Sequence, residues 1–292
     1  MQDYLVTSEE LLKEVIPPRR LDAHKGDNGV VCVVGGSRLF HGAPFFSSMS
    51  CLRTGADLVY LAVPKLIATS IRSLSPDLIV FPLADAKLTP GAAGALLKWL
   101  PEIDTLVLGP GLGRQSLEGS KKLIRDVSLE RKVRTTLDAE AQNVDVYNLI
   151  KHKDCVTTPH PGEFKRIFGA DAGASLEEKI HSVSSKANEF GITIVLKGAE
   201  TVISDGAETF VNRTGSPGMT CGGIGDTLSG VIGALLAQTS DRGLKAVKVA
   251  AAASYIVGLA GKKAVSDKGF HIVATDIIDR IPEVLTPFDR VE

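Results

Sequence analysis

The sequence predicts an α/β protein of three layers, with helices on both faces of a mostly parallel sheet. Three observations carry that expectation. Strand-like and helix-like segments alternate from residue 30 to residue 199, which calls for right-handed βαβ units. Val30-Val31-Cys32-Val33-Val34 is an unbroken apolar, mostly β-branched run, suited to a strand buried on both faces and so to a parallel sheet. Glycine-rich or polar motifs follow the strands at GGS, GPGLG, LDAEAQN, TPHPGE, LKGAET and GGIGD. Open α/β sheets bind their ligands beyond the carboxyl ends of the strands, where these motifs fall.

Taken in order, TSEELLKEVI (7–16) has a helix signature with Thr7 or Ser8 as N-cap and Glu10 close behind, and Pro17-Pro18 ends it. After the strand at 30–34, GAPFFSSMSCLRTG (42–55) reads as a helix with small residues facing a neighbour. Strands follow at 57–64, 77–83 and 105–113, the last running into a glycine turn. Helices are expected near 65–73, near 90–100 with the sole Trp99, and over 116–128. VRTTLDAEAQN (133–143) and DCVTTPHPGEF (154–164) each place polar residues after a strand. A helix over 176–190 leads to a strand at 193–199. TVISDG and ETFVNRTG pair across Asp205-Gly206, a strong hairpin signal. An Ala-rich helix (245–264) and a last helix (276–285) complete the chain. No linker, repeat or low-complexity tract interrupts it, so residues 1–292 read as one domain, with 1–24 as an N-terminal helix and lead-in.

Composition narrows the function. With 44% hydrophobic and 23% charged residues and a formal net charge of −1, the chain resembles ordinary globular proteins and offers no basic surface for nucleic acid. Cys32, Cys51, Cys155 and Cys221 are scattered without a CxxC pair, so neither a zinc site nor a disulfide framework is expected. The acidic N-terminal stretch lacks signal-peptide character, and no apolar run reaches membrane-spanning length. A cytoplasmic protein with no membrane partner is expected.

The most informative stretch is Asn212 to Ala237, NRTGSPGMTCGGIGDTLSGVIGALLA. It reads as a strand end, a glycine loop and a buried helix with Leu228, Val231, Ile232 and Leu235 at helical spacing. Glycines let backbone N–H groups approach an anion, and the helix N-terminus adds partial positive charge. Asp226 stands where a cradled phosphate would meet a second reactant, as a base or as a helix cap. Gly109-Pro110-Gly111-Leu112-Gly113 either makes a tight turn or lets a ring or phosphate lie on bare backbone. It is neither a dinucleotide fingerprint nor a Walker A loop, which disfavours hydride-transfer enzymes. Pro159 and Pro161 fix the backbone around His160 at a strand end and point it to ligand contact, while Glu163 suits the start of the next helix in any case. Lys197 either neutralises a phosphate or snorkels. Asp138, Glu140 and Asn143 could hold Mg²⁺ through water or cap a helix.

Together, HKGDNGVVCVVGGS, HGAPFFSSMSCLRTGADLV, GPGLGR, LDAEAQN, TPHPGEFKRIFG, LKGAETVI and NRTGSPGMTCGGIGDTLSGVIGALLAQ resemble the NAD(P)H-hydrate dehydratase family of the ribokinase-like superfamily. The resemblance spans nearly the whole chain, and TPHPGEF combined with PGM…GGxGDxLxG is its specific part. It implies a ribokinase-like fold and the nucleotide-dependent, Mg²⁺-assisted removal of water from hydrated NADH or NADPH. Asp226 would be the catalytic base, and Ala43, Gly111, Gly113, His160 and Asp226 would contact the hydrate. Lys197, Gly198, Ala199, Glu200 and Thr201, with Ser216, Pro217, Gly218, Met219, Thr220, Cys221, Gly222, Gly223, Ile224 and Gly225, would hold the nucleotide. SPGMTCGGIGD is closer to the form associated with ADP than with ATP. Ile224 replaces the Ser, Thr or Gln more familiar between Gly223 and Gly225. A homo-oligomer is expected, and the epimerase often fused to this family is expected as a separate protein. The competing readings are a vitamin-precursor alcohol kinase of the same superfamily, which has no need of HGAPF, GPGLG and TPHPGEF together, and a nucleotide sensor, which has no need of Asp226.

Overall fold

Apolar runs marked as strands in the sequence pair side by side into one ten-stranded sheet. The computed structural model describes residues 4–292; the first three residues of the acidic N-terminal stretch lie outside the described residues. In chain order the strands are β1 (Leu5–Val6), β2 (Val30–Val34), β3 (Leu58–Pro64), β4 (Ile79–Leu83), β5 (Thr105–Leu108), β6 (Arg134–Leu137), β7 (Cys155–Thr157), β8 (Thr193–Leu196), β9 (Thr201–Ser204) and β10 (Thr209–Asn212). The α-helices are α1 (Glu9–Val15), α2 (Gly42–Arg53), α3 (Lys65–Leu74), α4 (Pro90–Trp99), α5 (Leu117–Leu123), α6 (Val144–Leu149), α7 (Pro161–Phe168), α8 (Leu176–Phe190), α9 (Ile224–Gln238), α10 (Ala246–Lys268) and α11 (Ala274–Leu285).

The sheet order is β1-β10-β9-β8-β7-β6-β5-β2-β3-β4. From β4 through β8 all neighbours are parallel, with Val34 beside Ala62 on one side and Leu108 on the other. The hairpin β9–β10 then adds two antiparallel strands, and β1 pairs parallel to β10. Burial on both faces explains the apolar runs. Within β2, Val31 and Val33 enter one apolar cluster with Ala234 of α9, while Cys32 and Val34 enter another with Leu123, Phe164 and Val183 on the opposite face. Alternation along one strand therefore feeds two cores, which makes three layers.

The chain runs outward from β2 through β3 to β4, then returns to form β5 on the other side of β2. That reversal is the topological switch at which such sheets open a crevice. Gly35-Gly36 and Gly109–Gly111 leave the sheet there, and Gly36 N donates to Pro110 O at 2.8 Å.

Helix α9 lies deep between α2 and the sheet. A Cβ on Gly230 would stand 2.1 Å from the Ser47 carbonyl oxygen of α2, and one on Gly233 would stand 2.3 Å from Val107 of β5. Both glycines are therefore required by close approach. Ser47 Oγ meets Ser229 Oγ at 3.3 Å, and Cys51 Sγ donates to Gly230 O.

Several segments depart from the expected pattern. The helix expected over 116–128 starts as a 3-10 turn at Arg114–Ser116, is α-helical over Leu117–Leu123, and widens to a π-helical segment at Ile124–Glu130. Helix α6 is the helix that the capping alternative for Asp138, Glu140 and Asn143 requires, and Asn143 alone caps it, accepting from Asp145 N. Strand β1 was not anticipated, and Thr7 Oγ1 donates to Asn212 rather than capping the following helix, whose N-cap Ser8 makes no side-chain capping bond. The Ala-rich α10 extends to Lys268 and buries Ala250, Ala251, Ala252 and Ala253 within the chain itself.

Candidate active site

The site is assembled from the tips of β5, β6, β7, β8 and β10. Asn212, the last residue of β10, anchors the glycine loop. Its Oδ1 accepts from Thr7 Oγ1 at 2.8 Å and Thr214 Oγ1 at 2.7 Å, and its Nδ2 donates to Ser254 O of α10. The loop closes through a turn in which Met219 N donates to Ser216 O, then enters α9 at Gly223. Gly223 has φ +97°, and a Cβ there would strike Phe46 and Ala274 at 2.7 and 2.8 Å. Only glycine suits that entry. The helix consequently begins without a side-chain cap, and Asp226 sits on its first turn.

A cavity of about 580 Å³ opens between the glycine loop, β8, β9 and α10. Of the residues expected to hold a nucleotide, Lys197, Gly198, Ala199, Thr201, Ser216, Pro217, Met219, Thr220, Ile224 and Gly225 line it. Other members of that set do not. Glu200 turns to an ion pair with Arg213 at 2.9 Å. Gly218 is pressed against Val265 and Phe270, and Gly223 serves the helix entry. Cys221 and Gly222 also lie outside the lining, Gly222 with nothing within 4 Å of a Cβ position. Arg213, Thr214 and Gly215 complete the wall with Leu228, Ser254, Val257 and Gly258, which sequence reasoning missed. The run of small residues in α10 was the available signal, but it does not say which neighbour the helix faces.

Beneath the loop lies a charged network. Lys197 follows β8, and its Nζ would be 3.2 Å from a Cβ on Gly225. It donates to Asp138 Oδ1 at 3.1 Å and stands 3.8 Å from Glu163 Oε2. Asp138, at the tip of β6 and 2% exposed, also accepts from Thr158 Oγ1 at 2.6 Å. Burial alone would lower the Lys197 pKa, but the Asp138 and Glu163 carboxylates outweigh it and hold the ammonium above the ordinary lysine value. Lys197 is thus neither a snorkelling residue nor a free point charge. Asp226 is half-buried, and among the described residues no ion pair holds it. Its burial, with the Asp138 charge next, pushes its pKa up to about 7 against the opposing pull of Lys197.

The acid-and-amide cluster read from LDAEAQN does not converge. Asp138 faces Lys197, Glu140 pairs with Arg166 at 3.0 Å and lies 3.5 Å from Arg114, and Asn143 caps α6. Successive residues of a turning loop point in different directions, which spacing alone does not reveal. Among the described residues no group of three or more His, Cys, Asp or Glu could cage a metal ion.

Of the other expected ligand residues, Gly111 and Ala43 meet at the switch point, whereas Gly113 and His160 lie on separate turns beyond β5 and β7. Gly111 has φ +71°, and its Cβ position lies 2.6 Å from Phe40 O and 3.0 Å from Ala43 at the start of α2. Gly113 precedes the 3-10 turn and is open around its Cβ position. His160 is exposed, but its Nδ1 accepts from Gly162 N and Glu163 N while Glu163 Oε2 accepts from His160 N. This reciprocal capping box makes His160 the N-cap of α7 and commits one ring nitrogen to the helix. The other nitrogen, Nε2, is the one left to face a ligand, 3.6 Å from Glu163.

A glycine loop opening a buried helix, with a carboxylate on its first turn at the strand tips of a three-layer sheet, defines a ribokinase-like enzyme. A solved Bacillus subtilis ADP/ATP-dependent NAD(P)H-hydrate dehydratase, co-crystallised with ATP and Mg²⁺, shares this fold with TM-score 0.83 over 99% of this chain and 100% of that one, at 24% identity. The NAD(P)H-hydrate dehydratase family model matches residues 31–283, and the chain belongs to that family. The ADP-dependent (S)-NAD(P)H-hydrate dehydratase of Nitrosopumilus maritimus (strain SCM1) is 45% identical over 282 residues, covering 96% of each chain. The protein of the same description from Cenarchaeum symbiosum (strain A) is 46% identical over 285 residues, covering 97% of this chain and 98% of its own.

Proposed function

We propose that this enzyme returns the S form of hydrated NADH or NADPH to NADH or NADPH, driven by a nucleotide, ADP in preference to ATP. The observation that carries the reading is the half-buried Asp226 carboxylate, unpaired among the described residues, beside a nucleotide-sized cavity. Full-length relatives described as ADP-dependent dehydratases support it.

Hydroxide leaves a ring carbon poorly, and phosphate leaves well. Asp226 takes the proton from the ring hydroxyl, whose oxygen attacks the nucleotide's terminal phosphorus. The bond to the bridging oxygen breaks and AMP departs (ADP, where ATP is used). The ring nitrogen's lone pair then expels phosphate, and loss of a proton from the adjacent ring carbon restores the dihydronicotinamide. A pKa near neutrality suits Asp226 as the base. Positioning and charge stabilisation do the remaining work, as in phosphoryl transfer generally. Gly222, Gly223 and Gly225 supply the anion hole, Lys197 faces the phosphates, and Gly198, Ala199, Thr201, Ser216, Pro217, Met219, Thr220 and Ile224 hold the nucleotide. Ala43, Gly111, Gly113 and His160 hold the hydrate.

Magnesium enters with the nucleotide. The described residues do not fit a protein cage for it, and this ion favours phosphate oxygens with retained waters. The wider reading is a homo-oligomeric repair enzyme of the cytoplasm, paired in function with an epimerase. Four free thiols, three of them buried, suit a reducing compartment.

The test is direct. Incubation with hydrated NADH and ADP or ATP should restore dihydronicotinamide absorbance, faster with ADP. Phosphorylation of an alcohol without that recovery would convert the reading to a kinase, and nucleotide binding with no turnover to a sensor.

A further inference from the structure

Four charged groups meet at the strand tips: Asp138 from β6, Lys197 from β8, Glu163 from α7 and Asp226 from α9. One ammonium thus faces three carboxylates. Its hydrogen bond goes to Asp138, not to the aspartate read as the base. Asp138 is held in turn by Thr158 at 2.6 Å, and its own carbonyl oxygen lies 1.8 Å from the Cβ position of Gly109. Only a glycine at 109 lets β5 and β6 close on each other there. The charges that act on Asp226 are those of Asp138, Lys197 and Glu163, while α2 and α11 set Phe46 and Ala274 against Gly223 at the start of α9.

We propose that Asp138 is a positioning residue for the base. It fixes the Lys197 ammonium beneath the Gly225–Asp226 turn and adds a second negative charge there, so that Asp226 stays unpaired and proton-accepting. A lysine free to swing would pair with Asp226 and quench it. A lysine tied to Asp138 remains under the glycine loop, where a phosphoryl group adds negative charge. Burial of a carboxylate with a single ammonium between it and Glu163 is costly unless the arrangement is used. The upward shift of Asp226 agrees, because after burial itself the Asp138 charge is the largest cause. Thr158 is the support of this arrangement, since its hydroxyl orients the same Asp138 oxygen that Lys197 meets.

The inference rests on Asp226 being the base, so the experiment separates the two. Asp138→Asn keeps the shape and one acceptor oxygen, which can still take the Thr158 hydroxyl, while the second oxygen becomes a donor and the charge is removed. Wild type and variant are compared in hydrate turnover from pH 5 to pH 9, and the Asp226 carboxyl is titrated by ¹³C NMR in both. With the charge gone and the lysine held by a neutral amide instead of a carboxylate, the Asp226 midpoint and the acid limb of kcat/KM should both move down by about one pH unit. At neutral pH kcat should fall about tenfold or more, and the KM for ADP should change less than kcat. Thr158→Val retains the charge, so it should lower kcat less and leave the acid limb in place. A midpoint unchanged in Asp138→Asn overturns the proposal whether or not the enzyme turns over hydrate. An unchanged limb in a variant that has merely lost thermal stability would reduce Asp138 to a structural residue. Inactivity of the wild type on hydrate would instead strike the proposed reaction, and the NMR comparison would still decide the role of Asp138.

Discussion

The two halves of the site are both rich in glycine, yet for opposite reasons. On the side assigned to the hydrate, a Cβ on Gly35 would stand 2.3 Å from Pro110 O, one on Gly109 1.8 Å from Asp138 O, and one on Gly111 2.6 Å from Phe40 O. These glycines let backbones touch, and they build a fixed wall. On the nucleotide side, Gly218 and Gly223 are also packed closely, but Gly222 meets nothing within 4 Å and the nearest neighbour of Gly225 is the Lys197 side chain, at 3.2 Å. Gly222 and Gly225 leave room. A glycine-rich motif is therefore two different instruments, and only the surroundings say which one is present.

The largest expected effect tests the residue between the two halves. Asp226→Asn should cut turnover by about 10²–10⁴ while leaving ADP binding near normal, as followed by single-turnover kinetics and calorimetry. The second test sets the glycines against each other. Gly111→Ala places a Cβ against backbone at positive φ and should cost about 2–4 kcal/mol in chemical denaturation. Gly222→Ala should leave stability within about 0.5 kcal/mol yet raise the KM for ADP several-fold. Equal destabilisation by the two would erase the distinction.

A smaller effect follows from linkage. Asp226 is raised in the fold from an ordinary 3.8 to about 7. Its ionisation then opposes folding increasingly as pH rises from about 4 to 7, and the penalty is constant above that. Asp226→Asn should accordingly be more stable than wild type by about 1–3 kcal/mol at pH 8, discounted for solvent, with no advantage below pH 4. Thermal melts across that range check the sign. The smallest expected change is at His160, whose imidazole closes α7. His160→Ala should cost about 1 kcal/mol, and His160→Asn should recover most of it. Loss of hydrate affinity in both variants would show that the ring serves the ligand as well as the helix.

Much of this was legible in the chain. VVCVV could be read as a doubly buried strand because β-branched runs without polar interruption suit little else, and Asp205-Gly206 announced its hairpin. GGIGD followed by apolar residues at helical spacing marked the helix that becomes α9. Strand β1 was not legible, because Leu5 and Val6 are 58% and 49% exposed and are strand only through pairing with β10. Nor was the Asp138–Lys197 bond, which joins residues 59 apart and depends on β6 and β8 flanking β7. The capping role of His160 lay half in view, since Pro161 at the first helical position marks a helix start. The sequence pattern suggested exposure there but not the two backbone donors that hold the ring.

Gly230 and Gly233 seat α9 so closely on α2 and β5 that the helix has no slack along its axis or toward the sheet. The reach of its first turn over the strand tips is thus a constant of the molecule, like the throat depth of a fixed press. Whatever closes over a substrate must come from the other jaw, and chemistry on this scaffold is retuned by reshaping the loops that dock there while the helix stays put.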